Sequence, residues 1–234
     1  MQLSRINTNA ATVQGPNNFS IGVGDETEEP IINHFLQAGK KFPFAVGRAP
    51  GGSIYFNGFY NYTFSMVFAS PTPDTEPTGV VYGIQDDGGF SAIEPLSATT
   101  YAVARFNFGD NYLLPNVSIA SNDITINTDL EGFAIPELVA NAPVKIVKLT
   151  QPNTIVYASD TESGQIALLG YNTTASTLTG TKYLGFSNPY HIGAIILTRD
   201  GGLAICGLTY VAGRFPRLCL FKIPAEDVNR LAGQ

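Results

Sequence analysis

Three apolar segments punctuated by glycine turns, at the C-terminal end, constrain this chain more than any other feature. Ala194 to Thr198 leads into Asp200-Gly201-Gly202, Leu203 to Thr209 leads into a turn near Ala212-Gly213, and Leu218 to Ile223 follows. Asp-Gly and Gly-Gly supply the positive φ that a tight hairpin needs. The spacing therefore predicts three consecutive antiparallel strands, the meander from which a β-propeller blade is made.

Related strand–turn–strand units recur upstream. Phe44 to Gly58 carries a Gly51-Gly52 turn and is followed by Phe64 to Ala69. Val144 to Ala158 turns at Pro152-Asn153 and is followed by Gln165 to Tyr171. A less distinct unit, Tyr101 to Leu114, turns at Gly109-Asp110. The turn markers near 51, 109, 152 and 201 are spaced by roughly 40 to 60 residues, close to the length of a propeller blade. The irregular spacing places insertions at Ser70 to Gly79 and Asn122 to Pro143. Residues 1–40 fit the repeat poorly. There Phe19 to Val23 reads as a strand that completes a blade begun at the C-terminus, and Ile31 to Ala38 has a weak helical pattern. Pro224 to Leu231 predicts one or two helical turns, with Pro at the start and acids in the first turn. No linker is visible, so the chain reads as one all-β domain: a β-propeller of four-stranded blades. At roughly 47 residues per blade, 234 residues favour five blades, with four or six open. A β-sandwich is the alternative, because alternating strands and frequent turns suit it too.

Composition narrows the partners. Charged residues are 14% of the chain and the net charge is -6, with Lys40-Lys41 the one basic doublet, which argues against nucleic acid and anionic membrane surfaces. No apolar run reaches the length of a transmembrane helix. A hairpin centred between Ala212 and Gly213 sets Cys206 opposite Cys219. The simple reading of that pair is two small buried apolar side chains, and the other is a cross-strand disulfide.

The segment from Thr198-Arg-Asp-Gly-Gly through Gly207-Leu-Thr209 to Lys222-Ile223 resembles a repeat of secreted and lipid-anchored proteins of Bacteroidetes bacteria. There an Asp-Gly-Gly turn precedes an apolar strand ending Gly-x-Thr, and a strand ending in Lys and a hydrophobic residue follows. The resemblance is good over 191–223 and partial over 44–69 and 144–171. It implies a propeller-like fold and an exported protein, periplasmic or at the cell surface, whose leader is absent from this chain. It implies no reaction.

The residues that carry chemistry are few. The two histidines are His34 and His191, and no Gly-x-Ser-x-Gly elbow exists. A structural role for His191, hydrogen-bonded at a strand edge or in the channel, is the simpler reading, and a ligand contact is the functional one. Asp86, Asp87, Asp110, Asp160, Glu162 and Asp200 are candidate carboxylates for glycoside hydrolysis. Asp87 and Asp200 each precede Gly-Gly, where Asp is a turn former. The acidic stretch Asp25 to Glu29 lacks the spacing of a calcium loop. The sequence points to no metal and no cofactor. The aromatic run from Tyr55 to Phe64 reads as packing between blades. Its functional reading is a sugar-stacking surface carried by Asn57, Tyr60, Asn61 and Tyr62.

Two function classes follow. The first is an exported, non-enzymatic binding or scaffold module that recognises a glycan or protein partner through one propeller face, with Asn57, Tyr60, Asn61, Tyr62 and His191 as its contacts. The second is a carbohydrate-active hydrolase or lyase with carboxylates at the channel mouth.

Overall fold

A computed structural model describes residues 2–18, 45–48, 54–60, 64–69, 80–82, 88–97, 99–119, 130–210 and 215–234. About two thirds of these residues are in antiparallel strands and one short helix is present, so the fold is all-β. The chain separates into two compact units. The first comprises Met1–Phe90, Pro95–Thr100 and Ser118–Glu131, and the second Ser91–Glu94, Tyr101–Val117 and Gly132–Gln234.

In the first unit, β1 (Gln2–Asn7) and β2 (Thr12–Asn18) form a hairpin. The side chain of Asn7 closes its turn by accepting the N–H groups of Asn9 and Ala10, each at 3.1 Å, the usual reason Asn favours such positions. The hairpin falls where the sequence showed no match to the repeat. Strands β3 (Ala45–Arg48), β4 (Ile54–Tyr60), β5 (Phe64–Ala69) and β6 (Val80–Tyr82) make a four-stranded meander. The expected strand Phe19 to Val23, the weak helix Ile31 to Ala38 and the insertion Ser70 to Gly79 lie outside the described residues.

The next sheet is again a meander of β7 (Gly88–Pro95), β8 (Thr100–Asn107), β9 (Asp110–Ser118) and β10 (Phe133–Ala134). Gly88-Gly89 opens β7. One detail corrects the sequence reading: the stretch Asn122 to Pro143, expected to be an insertion, contributes β10. The third sheet is β11 (Lys145–Lys148), β12 (Thr154–Asp160), β13 (Ile166–Asn172) and β14 (Thr177–Leu184). The last sheet has three strands, β15 (Tyr190–Leu197), β16 (Leu203–Tyr210) and β17 (Pro216–Ile223), and α1 (Ala225–Leu231) follows. The meander predicted for the tail is present, and Gly201 takes φ +78° in its first turn.

The sheet β11–β14 is covered on both faces. Every residue of β12 and the first six of β13 are buried. On one face Val156, Ala158, Ile166, Leu168 and Leu184 pack against Ile192, Ile195, Leu203, Ile205 and Ile223 of the last sheet. On the other, the Tyr157 O–H is shared between the carbonyls of Val103 (3.2 Å) and Leu114 (2.9 Å), in β8 and β9. Burial pushes that phenol well above its ordinary range.

Helix α1 is explained by its sequence. Pro224 is the extended N-cap, Glu226 and Asp227 sit in the first turn, and Arg230 in the last, each charge matching the helix dipole. Val228 and Leu231 join the core shared by the two last sheets. Gly170 and its cross-strand partner Gly180 form a notch for the helix end. A Cβ at Gly170 would lie 2.1 Å from the Leu231 carbonyl oxygen. Thr179 donates to that oxygen at 2.6 Å, and Lys182 pairs with Asp227 at 3.0 Å.

The register of β16 and β17 corrects the cysteine pairing. Cys206 stands opposite Leu220 and Cys219 opposite Gly207. Side chains alternate between faces, so a slip of one residue puts the two thiols on opposite faces. Both are free, Cys206 exposed and Cys219 half-buried. The expectation of two buried apolar thiols also fails, because Cys206 shares the outer face with exposed Leu208 and Leu220.

Candidate functional site

Asp160 closes β12 and His191 lies near the start of β15. Packing the two sheets brings these strand ends together. Asp160 Oδ2 lies 2.9 Å from His191 Nδ1, and Oδ1 accepts the backbone N–H of Ile192 at 2.6 Å. The Asp160 side chain is 5% exposed and that of His191 is 51% exposed. A buried carboxylate is costly unless its oxygens are hydrogen-bonded, and here both are. Nε2 of His191 has no hydrogen-bond partner among the described residues, so the buried acid holds an imidazole whose far side is open.

Aromatic and polar groups frame this pair. The His191 ring meets Tyr210 edge-on, with centroids 5.6 Å apart. Across the sheet, His191 pairs with Leu208, and Leu208 with Leu218. A Cβ at Gly207 would lie 2.1 Å from the His191 carbonyl oxygen, so glycine allows the close approach of β16. On the opposite face of the sheet Thr209, cross-strand from Tyr190, has a buried hydroxyl with no hydrogen-bond partner among the described residues. Beside the pair, the β12–β13 turn is tied internally. Thr161 Oγ1 donates to the Gln165 carbonyl at 2.9 Å, and Gln165 Nε2 donates to the Gly185 carbonyl at 3.0 Å. At the same turn the backbone N–H of Glu162 donates to the Glu137 carbonyl. The Glu137 carboxylate accepts from Tyr183 at 2.7 Å, and that bond raises the Tyr183 pKa.

The other candidates fall elsewhere. Asp200 is a turn residue, as its sequence context predicts. Its Oδ1 accepts from Thr198 at 2.5 Å, Gly202 N–H at 3.2 Å and Lys222 Nζ at 2.6 Å. Bonding to Lys222, then Thr198 and Gly202, holds this carboxyl far below the usual range. Asp110, the first residue of β9, and Glu162, in the β12–β13 turn, are exposed. Asn57 and Tyr60 lie in β4, on either side of a register shift against β5, and their backbone alone is described. Asn61, Tyr62, Asp86, Asp87, His34 and the acidic stretch Asp25 to Glu29 lie outside the described residues. Among the described residues, no three His, Cys, Asp or Glu side chains gather where they could hold a metal ion. None of their helices is long and apolar enough to cross a membrane.

Sequence reasoning named His191 and Asp160 separately and did not join them. The signal was positional: Asp160 closes the second strand of one meander and His191 lies near the start of the first strand of the next. Tyr210 and Gln165 carried no signal. No family model matches the chain, and no curated protein is significantly similar to it.

Proposed function

We propose that this protein is an exported, non-enzymatic binding module built as a β-propeller, and that it holds a glycan at the end of its sheets where His191 lies. The propeller is supported by sheet order and burial. Successive meanders follow one another along the chain, and β12 and β13 are buried on both faces. A two-layer sandwich covers each sheet on one face, whereas a blade packed between two others is covered on both; β11–β14 meets that pattern and the last sheet, covered on one face, does not. The resemblance of the tail to exported Bacteroidetes repeats supports the destination.

The observation that carries the binding role is the open imidazole of His191, fixed by buried Asp160 and walled by Tyr210. Polar groups oriented beside an aromatic ring suit a sugar, which presents hydroxyls and an apolar face. Catalysis is less well supported. Asp160 and Asp200, two of the candidate acids, are both committed to internal hydrogen bonds. A glycan array probed with the wild type and His191→Ala tests the role. Signals that fall at least tenfold in the variant, with unchanged folding, support it. Signals that persist remove His191 from the site. The Tyr60→Ala/Tyr62→Ala pair tests the aromatic strand in the same assay.

A protein partner is the second reading. Ile196, Leu208, Leu218 and Leu220 are all exposed on the outer face of the last sheet, Leu218 at 88% and Leu220 at 74%. Contiguous exposed apolar surface of this kind marks interaction sites. A blank array together with specific capture of a membrane-extract protein selects this reading.

A further inference from the structure

The Asp160–His191 pair also decides which kind of ligand group the site accepts. A carboxylate has lone pairs and no hydrogen to give. Oδ1 of Asp160 takes the Ile192 N–H, and Oδ2 faces Nδ1 of His191. Nδ1 therefore carries a ring hydrogen, and in the ring's neutral form Nε2 presents a bare lone pair. A lone pair needs a donor. Sugar hydroxyls are donors; the carboxylates and sulfates that acidic sugars carry besides their hydroxyls are not, and they would face the Asp160 carboxylate behind the ring.

The surrounding charges agree. Asp160 lies behind the ring, and acidic Glu162, in the neighbouring turn, is tied by its backbone N–H to the carbonyl of acidic Glu137. Arg217 is cross-strand from Thr209, and Thr209 from Tyr190. That row alternates with the row His191, Leu208 and Leu218, so Arg217 belongs to the opposite face of the sheet from His191.

We infer that His191 Nε2 accepts a hydrogen bond from a neutral, hydroxyl-bearing sugar, and that Asp160 is the positioning residue that sets this selectivity against acidic sugars. The inference rests on the glycan-binding reading above and specifies its ligand class. Tyr210 supplies the apolar wall beside the accepted hydroxyl. Asp160 touches no ligand; it acts through the tautomer of His191.

The test is histidine-ring nitrogen NMR on the full chain, which is tractable because there are two histidines. In the wild type, His191 is expected as the Nδ1–H form. Maltotetraose should move its Nε2 signal and bind about tenfold more tightly than tetragalacturonate, the difference one well-placed hydrogen bond makes. In Asp160→Asn the amide can donate to Nδ1, so Nε2 gains the hydrogen, and the preference should shift toward tetragalacturonate. His191→Phe keeps a ring beside Tyr210 and removes the acceptor, so maltotetraose binding should fall about tenfold even if the Asp160 variant does not fold.

An Nε2–H form in the wild type, tighter binding of tetragalacturonate, or unchanged binding in His191→Phe overturns the inference. The two failures are distinguishable. Acidic sugars alone on the array leave the glycan reading standing and remove this inference. A blank array with a silent His191 ring removes both.

Discussion

The sheets β11–β14 and β15–β17 are both built around apolar central strands, yet those of the first are covered on both faces and that of the second on one. Strand β12 is buried along its whole length, whereas β16 alternates buried and exposed positions. The exposed positions of β16 and β17 include Cys206, Leu208, Leu218 and Leu220. A continuous apolar run is the expected signature of a strand covered on both faces. In β12 that signature matches the packing. In the last sheet it leaves apolar side chains facing solvent. The difference teaches that apolarity alone does not report how many neighbours a sheet has.

Core truncation should break the contrast most sharply. Leu168→Ala, in the doubly covered sheet, should cost about 2 to 5 kcal/mol in chemical denaturation. Leu220→Ala, on the exposed face, should stay within about 0.5 kcal/mol. Equal losses at the two positions would mean that the outer face of the last sheet is covered after all. Tyr157→Phe is the next step down. It removes the O–H that serves the Val103 and Leu114 carbonyls from the other covered face. The expected loss is about 1 to 3 kcal/mol, and an unchanged midpoint would disconnect β12 from β8 and β9. The smallest effect is chemical. Burial, with the nearby Cys206 second, raises the Cys219 pKa, so its thiolate forms at higher pH than an ordinary thiol. At neutral pH an alkylating reagent should modify Cys206 before Cys219, in the native state and without unfolding. Equal rates, or a disulfide under oxidising conditions, would contradict the register that separates them.

Much of the meander was legible from local chemistry. Asp200-Gly201-Gly202 and Pro152-Asn153 marked turns because few other residues suit those backbone positions. Strand β14, Thr-Leu-Thr-Gly-Thr-Lys-Tyr-Leu, was not legible. Its mostly exposed positions lack an apolar row, and it is held by pairing with β13. The two-residue β10 exists through its pairing with Leu113 and Tyr112. The candidate site was half legible. His191 stood out by rarity and Asp160 by charge, but their contact spans 31 residues and two sheets, a distance no local pattern encodes.

By itself the sequence determined the all-β class of fold, the three tail strands with their turn at Asp200-Gly201-Gly202, and the short C-terminal helix; the turn expected near Ala212-Gly213 lies outside the described residues. Those follow from side-chain alternation, glycine conformational freedom and helix-end charges, all of which act within a few residues. Tertiary structure decided the cysteine register, the burial of β12 on both faces and the meeting of Asp160 with His191. Each depends on which strand ends and faces arrive beside one another, and packing sets that only once the sheets have formed.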